Sequence, residues 1–147
     1  MIRGALRRYT PPNRQLNWNT LHEGGGVLDF LVLEPTRKNG GTFRWTTNLE
    51  QARRSAELHY RESEGIDVQN GVLYFVSKRW KSLYILELDD FSYRNVTTRS
   101  GLMDGAPDQI QRVLGGAPAS EEILYLFKAP RIHAWRKIHA LETRKTW

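Results

Sequence analysis

Residues 72–76 read Val-Leu-Tyr-Phe-Val, apolar at every position, and this run constrains the fold more than any other feature of the chain. A strand with one buried face alternates apolar and polar side chains, because successive residues point to opposite sides of the sheet. An unbroken apolar strand therefore expects cover on both faces. It lies within residues 64–99, which read as four short strands joined by tight turns. Gly65-Ile66-Asp67-Val68 comes first, and Asn70-Gly71 supplies a two-residue hairpin turn. The apolar strand 72–77 follows, then 83–88, and Asp89-Asp90 turns the chain into 92–98. Polarity rises from the second strand to the fourth. The pattern predicts an antiparallel meander with 72–77 between its neighbours. In a β-propeller the inner strands of a blade are sandwiched between adjacent blades and the outermost strand is wet. On that reading the missing cover is another blade.

The remainder of the chain is read against this block. Residues 1–23 are polar and aromatic, with Pro11-Pro12, and expect loose or extended structure. Val27-Leu28-Asp29-Phe30-Leu31-Val32-Leu33 is a short apolar run expected as a buried strand that Pro35 closes. Asn39-Gly40-Gly41 signals a turn into the strand 42–46. Asn48 is a good N-cap, and Leu49, Ala52, Ala56 and Tyr60 share one helical face, so a short helix is expected between two sheet units. Ile66-Asp67-Val68 followed by Val72-Leu73-Tyr74-Phe75 is echoed by Ile110-Gln111-Arg112-Val113 followed by Ile123-Leu124-Tyr125-Leu126-Phe127. The first strands of the two copies lie 44 residues apart, near the period of one four-stranded blade. The expected fold is all-β: a partial β-propeller over 24–127, with one full blade and two partial ones, one short helix, and a basic tail at 128–147 that is irregular or helical. The strands at 27–33 and 42–46 would then be the outer strands of a preceding blade. A closed ring needs at least four blades, so the chain is expected to be a piece of a larger fold.

The formal charge of +6 is located at the ends. Residues 1–22 hold four arginines and no acid, and residues 128–147 hold six basic residues against Glu142. Of the chain's 22 basic and 16 acidic residues this leaves 12 and 15 in 23–127, so the patterned region is mildly acidic. A nucleic-acid binder carries its basic footprint on a folded face, so no nucleic-acid partner is expected. With no cysteine there is no disulfide framework, thiolate metal site or cysteine nucleophile. No apolar run is long enough to span a membrane, and the first residues lack the apolar segment of a secretory signal.

The strings Ser63-Glu64-Gly65-Ile66-Asp67, Asn70-Gly71-Val72-Leu73-Tyr74-Phe75-Val76-Ser77-Lys78 and Leu83-Tyr84-Ile85-Leu86-Glu87-Leu88-Asp89 resemble the eukaryotic, largely fungal branch of the PhoX-type alkaline phosphatase propeller family. Asp104-Gly105-Ala106-Pro107-Asp108-Gln109-Ile110 resembles it too, and Gly24–Phe30 with Gly41–Trp45 look like that family's preceding blade. The resemblance covers roughly residues 24–127. It implies a full propeller, often secreted, whose bacterial members hydrolyse phosphate monoesters with calcium and iron held by carboxylate-rich loops. The chain departs from the pattern after Phe127, where a basic, turn-poor tail replaces the expected glycine- and acid-rich loop. A fragment that is not catalytically competent alone is therefore expected.

Calcium takes several oxygens from carboxylates and carbonyls. Glu64 stands just before a blade's first strand, and Asp104 and Asp108 flank Gly105 and Pro107 at the corresponding place before the next. One carboxylate from each of two blades makes a candidate partial cation site; the same three acids equally serve as turn caps. Asn95-Val96-Thr97 is a glycosylation sequon on the expected wet strand, at Asn95, relevant if the chain is secreted. His22-Glu23 lacks His-Glu-x-x-His spacing, and His59 reads as a half-buried packing residue. Gly24-Gly25-Gly26 lacks the Lys-Ser/Thr of a phosphate loop and precedes a strand, so it reads as a turn. In the tail, Ile132, Trp135, Ile138 and Leu141 recur every third position among basic residues, a pattern open to a membrane-surface or nucleic-acid helix, or to an out-of-frame tail with accidental periodicity. Two alternatives to the fragment remain: an interaction module completed by another chain or by a second copy through unpaired sheets, and a small basic binding protein acting through its tail.

Overall fold

The computed structural model describes residues 4–12, 19–20, 22, 24–100, 105–113 and 123–127. It is mostly strand with one short helix. β1 (Arg7–Thr10), β2 (Val27–Arg37) and β3 (Gly40–Thr46) precede α1 (Leu49–His59). The meander β4 (Ser63–Gln69), β5 (Val72–Ser77), β6 (Ser82–Glu87) and β7 (Ser92–Thr97) follows, and then the pair β8 (Gln109–Val113) and β9 (Ile123–Phe127). No helix among the described residues is long and apolar enough to cross a membrane.

The meander forms as the sequence predicts, with β5 hydrogen-bonded between β4 and β6. Asn70 and Gly71 both take positive φ, 49° and 77°, the geometry of a two-residue turn whose twist matches the flanking strands. The register places Leu73, Phe75, Tyr84, Leu86 and Tyr93 on one face and Val72, Tyr74, Val76, Leu83 and Ile85 on the other.

The first face joins one core cluster with residues of β2 and β3, with α1 packed on β2, and with Tyr60 just beyond the helix. Ala52, Ser55 and Ala56 are buried against the sheet, and their small size lets the helix approach it closely. Tyr60 packs edge-on to Phe75, which stacks on Tyr84 at 4.8 Å between ring centres. The second face is closed by the β8–β9 hairpin, whose Ile110 and Leu126 join Val76, Leu83 and Ile85 in a separate cluster. The all-apolar strand is thus explained: a cluster that includes Tyr60 and residues of β2 and β3 buries one side, and a second, two-stranded sheet covers the other.

Three expectations are corrected. β2 and β3 are not a separate unit, because β3 pairs with β7 through Gly40–Arg94, Gly41–Tyr93 and Thr42–Ser92. One antiparallel sheet of seven strands results, ordered β1-β2-β3-β7-β6-β5-β4 and curled into a half-barrel. Phe91 carries the join: its carbonyl accepts from the Phe43 N–H at 2.8 Å and its ring lies on that of Phe43. β3 and β4 run in the same direction, four antiparallel steps apart, so the chain between them has to recross the sheet, and α1 does so. Pro35 does not end β2, which continues to Arg37 with a break in register between the two, the kind of place where a strand tolerates a proline. Residues 7–10, expected to be loose, form β1 on the edge of β2. There Arg8 pairs with Asp29 at 2.7 Å and lies over the Trp45 ring.

Candidate functional site

Two of the acids singled out from the sequence, Glu64 and Asp108, lie near Lys78 at one end of the meander. Ser77 Oγ donates to the Arg61 carbonyl at 2.6 Å, and the Lys78 N–H donates to the Glu62 carbonyl at 2.9 Å. These bonds carry the β4–β5 pairing beyond the strands and hold Glu62 and Glu64 beside Lys78. From the other side, Thr98 ties back the segment before β8. Its N–H donates to the Lys81 carbonyl, its hydroxyl donates to the Gly105 carbonyl at 2.8 Å, and its own carbonyl accepts from the Gly105 N–H. Pro107 is fully buried next to Asp108.

Gly65 completes the junction. It sits at a register break in β4 with φ of 38°, and a β-carbon there would stand 2.5 Å from the Ile110 backbone nitrogen. Only glycine permits this approach of β4 to β8. As a result the Asp108 carboxylate reaches the Lys78 ammonium at 2.8 Å, with both side chains part-exposed. The hydrogen bond and charge of Asp108 hold Lys78 above its ordinary pKa, and Glu64 and then Glu62 add to the effect. Asp108, one of the acids expected at a partial cation site, is thus paired with the chain's own lysine, and Glu64 lies near enough to act on the same ammonium through its charge. Lys78 escaped the sequence reading because it looked like an ordinary turn residue. The available signal was its position directly after the all-apolar strand.

Asp104 lies outside the described residues, as do Glu23 and the tail 128–147. Among the described residues no group of three or more His, Asp or Glu side chains is placed to hold a metal ion. Glu64 and an Asp108 already paired with an ammonium do not by themselves make the oxygen-rich cage that calcium requires, nor a ligand set for iron. Asn95 is half-buried in β7, and its N–H donates to the Asn39 carbonyl at 3.0 Å. The strand that carries the sequon is interior at its first half rather than outermost. His22 is exposed and its N–H donates to the Asn19 carbonyl. Gly24 and Gly25 take φ of 68° and 77°, a turn into β2. His59 is half-buried at the end of α1, and burial lowers its pKa.

No family model matches the chain, and neither a curated protein nor a solved structure matches it.

Proposed function

We propose that this chain is a non-catalytic part of a PhoX-like propeller-family protein, in which β4–β7 form one blade and β8–β9 open the next. The carrying observation is the Lys78–Asp108 pair with Glu64 and Glu62 around it. In the family these positions would bring carboxylates to a divalent cation. Here an ammonium of the chain itself neutralises them and links the start of one sheet to the start of the next. Packing of the β8–β9 hairpin flat on β5 and β6 is how a neighbouring blade would lie. A phosphoryl group and its nucleophile need a complete metal constellation to be held and polarised, and Lys78 takes the place at its centre.

The test is an assay of the purified chain on a generic phosphate monoester with calcium and iron supplied, alongside calorimetric titration with calcium. Neither turnover nor saturable calcium heat is expected. Turnover that disappears in Glu64→Ala would overturn the proposal.

One observation favours a second reading, an interaction module that pairs with another copy. β4 is an edge strand, and its Ile66 and Val68 are 52% and 55% exposed on the helix side of the sheet. Apolar side chains on an open edge invite strand addition. Sedimentation of the chain and of Ile66→Lys distinguishes the two: concentration-dependent association abolished by the lysine supports the module.

A further inference from the structure

A pocket of about 160 Å³ opens on the helix side of the sheet. It is assembled from four separate segments: the turn between β2 and β3, the C-terminal end of α1, the turn between β5 and β6, and the middle of β6 and β7. Its aromatic surface comes from Trp80, Tyr84 and Tyr93. Its polar groups include Lys38, His59 and Asn95. Tyr84 is already committed, its hydroxyl donating to the His59 carbonyl, and this bond fixes the floor of the pocket to the end of the helix. By contrast, the side chains of Lys38, His59 and Asn95 have no hydrogen-bond partner among the described residues. Three unengaged polar groups from three segments thus converge beside aromatic rings.

Size and charge narrow what fits. A cavity of about 150 Å³ holds one benzene molecule, so this pocket has room for one six-membered ring and a substituent, well below a drug-sized ligand. No acid lines it. His59 is held neutral at pH 7 by its burial, so Lys38 supplies the one positive charge, which suits a singly charged anion better than a dianion. The exposed part of Trp80 offers a flat apolar face for a ring, and the Asn95 amide and His59 imidazole can each give or take a hydrogen bond.

We propose that this pocket binds a small monoanion whose carboxylate is carried on a six-membered ring, with the ring against Trp80 and the carboxylate on Lys38. The inference is independent of the phosphatase-family reading, since the pocket shares no residue with the Lys78 cluster. Two sources offer this chemistry, aromatic acids and uronic acids, and the same titration separates them.

The experiment is a ¹H–¹⁵N titration of the full chain with benzoate, glucuronate and, as an uncharged control, benzyl alcohol, on wild type, Lys38→Met and Trp80→Ala. Saturable shifts at the Trp80 indole and at amides around Asn95 are expected with at least one acid. Lys38→Met should weaken that acid by up to about fivefold, the range of an exposed ion pair, and leave benzyl alcohol unchanged. Trp80→Ala should abolish binding of all three. Tighter glucuronate points to a carbohydrate source and tighter benzoate to an aromatic one. Lys38 is exposed, so its variant keeps the fold whatever Trp80→Ala does. The proposal is overturned if neither acid gives saturable shifts at the pocket, or if Lys38→Met binds the acids as tightly as wild type.

Discussion

Replacing Ser55 by alanine tests how the sheet manages an open edge. β1 pairs with β2 only from Val27 to Phe30, and the Leu6 carbonyl then takes the Leu31 N–H. Beyond that point no strand among the described residues lies beside this edge of β2, yet Leu31 and Leu33 are buried. α1 supplies the missing partners from its side chains. The Tyr60 hydroxyl donates to the Leu31 carbonyl at 2.7 Å, and Ser55 Oγ accepts from the Leu33 N–H at 2.9 Å and donates to the Leu33 carbonyl at 3.4 Å. Ser55→Ala removes both of the latter bonds and strands a buried N–H, which costs about 1–3 kcal/mol. Alanine's better helix propensity returns a few tenths of a kcal/mol. A net loss of about 2 kcal/mol lowers the melting temperature of a chain this size by about 4–8 °C. Thermal melts followed by circular dichroism measure it, with Arg53→Ala as a control that removes only the exposed pair with Glu50 and shifts stability by less than about 0.5 kcal/mol. If Ser55→Ala melts within about 1 °C of wild type, well short of that drop, the helix does not cap the β2 edge and the reasoning fails.

Three further outcomes follow from named contacts. Gly65→Ala forces a β-carbon into the Ile110 backbone at a positive φ, so it should cost about 1–3 kcal/mol in urea unfolding and raise binding of an apolar dye as the hairpin lifts. Lys81→Gly relieves a left-handed residue, φ 49°, in the turn before β6, and should stabilise by up to about 1 kcal/mol in the same assay. His59 is depressed below its ordinary 6.5 by burial, so the unfolded chain binds the proton first as pH falls. Its contribution is complete above pH 6.5 and lost as pH drops through the lower folded value. His59→Gln should therefore show a smaller fall in melting temperature than wild type between pH 7.5 and pH 5.5, about one unit either side of that reference.

Local chemistry was legible and distant pairing was not. The two-sided burial of β5, the Asn70-Gly71 turn and the Asn48 cap, which accepts from the Gln51 N–H at 3.0 Å, each follow from a few adjacent residues. The join of β3 to β7 did not, because strands nearly fifty residues apart in sequence leave no periodic mark on one another, and either could have been an outer strand. β1 was missed for a related reason. Arg7-Arg8-Tyr9-Thr10 has no apolar alternation, and its strand character comes from Asp29 and Trp45 across the ladder. At the candidate site the acids Glu64 and Asp108 are legible as turn acids before strands. The pairing of Asp108 with Lys78 is not, since the two lie 30 residues apart and meet through the close approach at Gly65.

On one face β5 joins the core cluster through Tyr60 at the end of α1, and on the other it is covered by the β8–β9 pair. Nuclear Overhauser contacts in a methyl- and aromatic-labelled sample test this arrangement most directly. The account predicts contacts from Ile110 and Leu126 methyls to Val76, Leu83 and Ile85, together with contacts from the Tyr60 ring to Phe75. Ile110 and Leu126 methyls that show no contact with those three residues, in a sample where Tyr60 and Phe75 do touch, would contradict it.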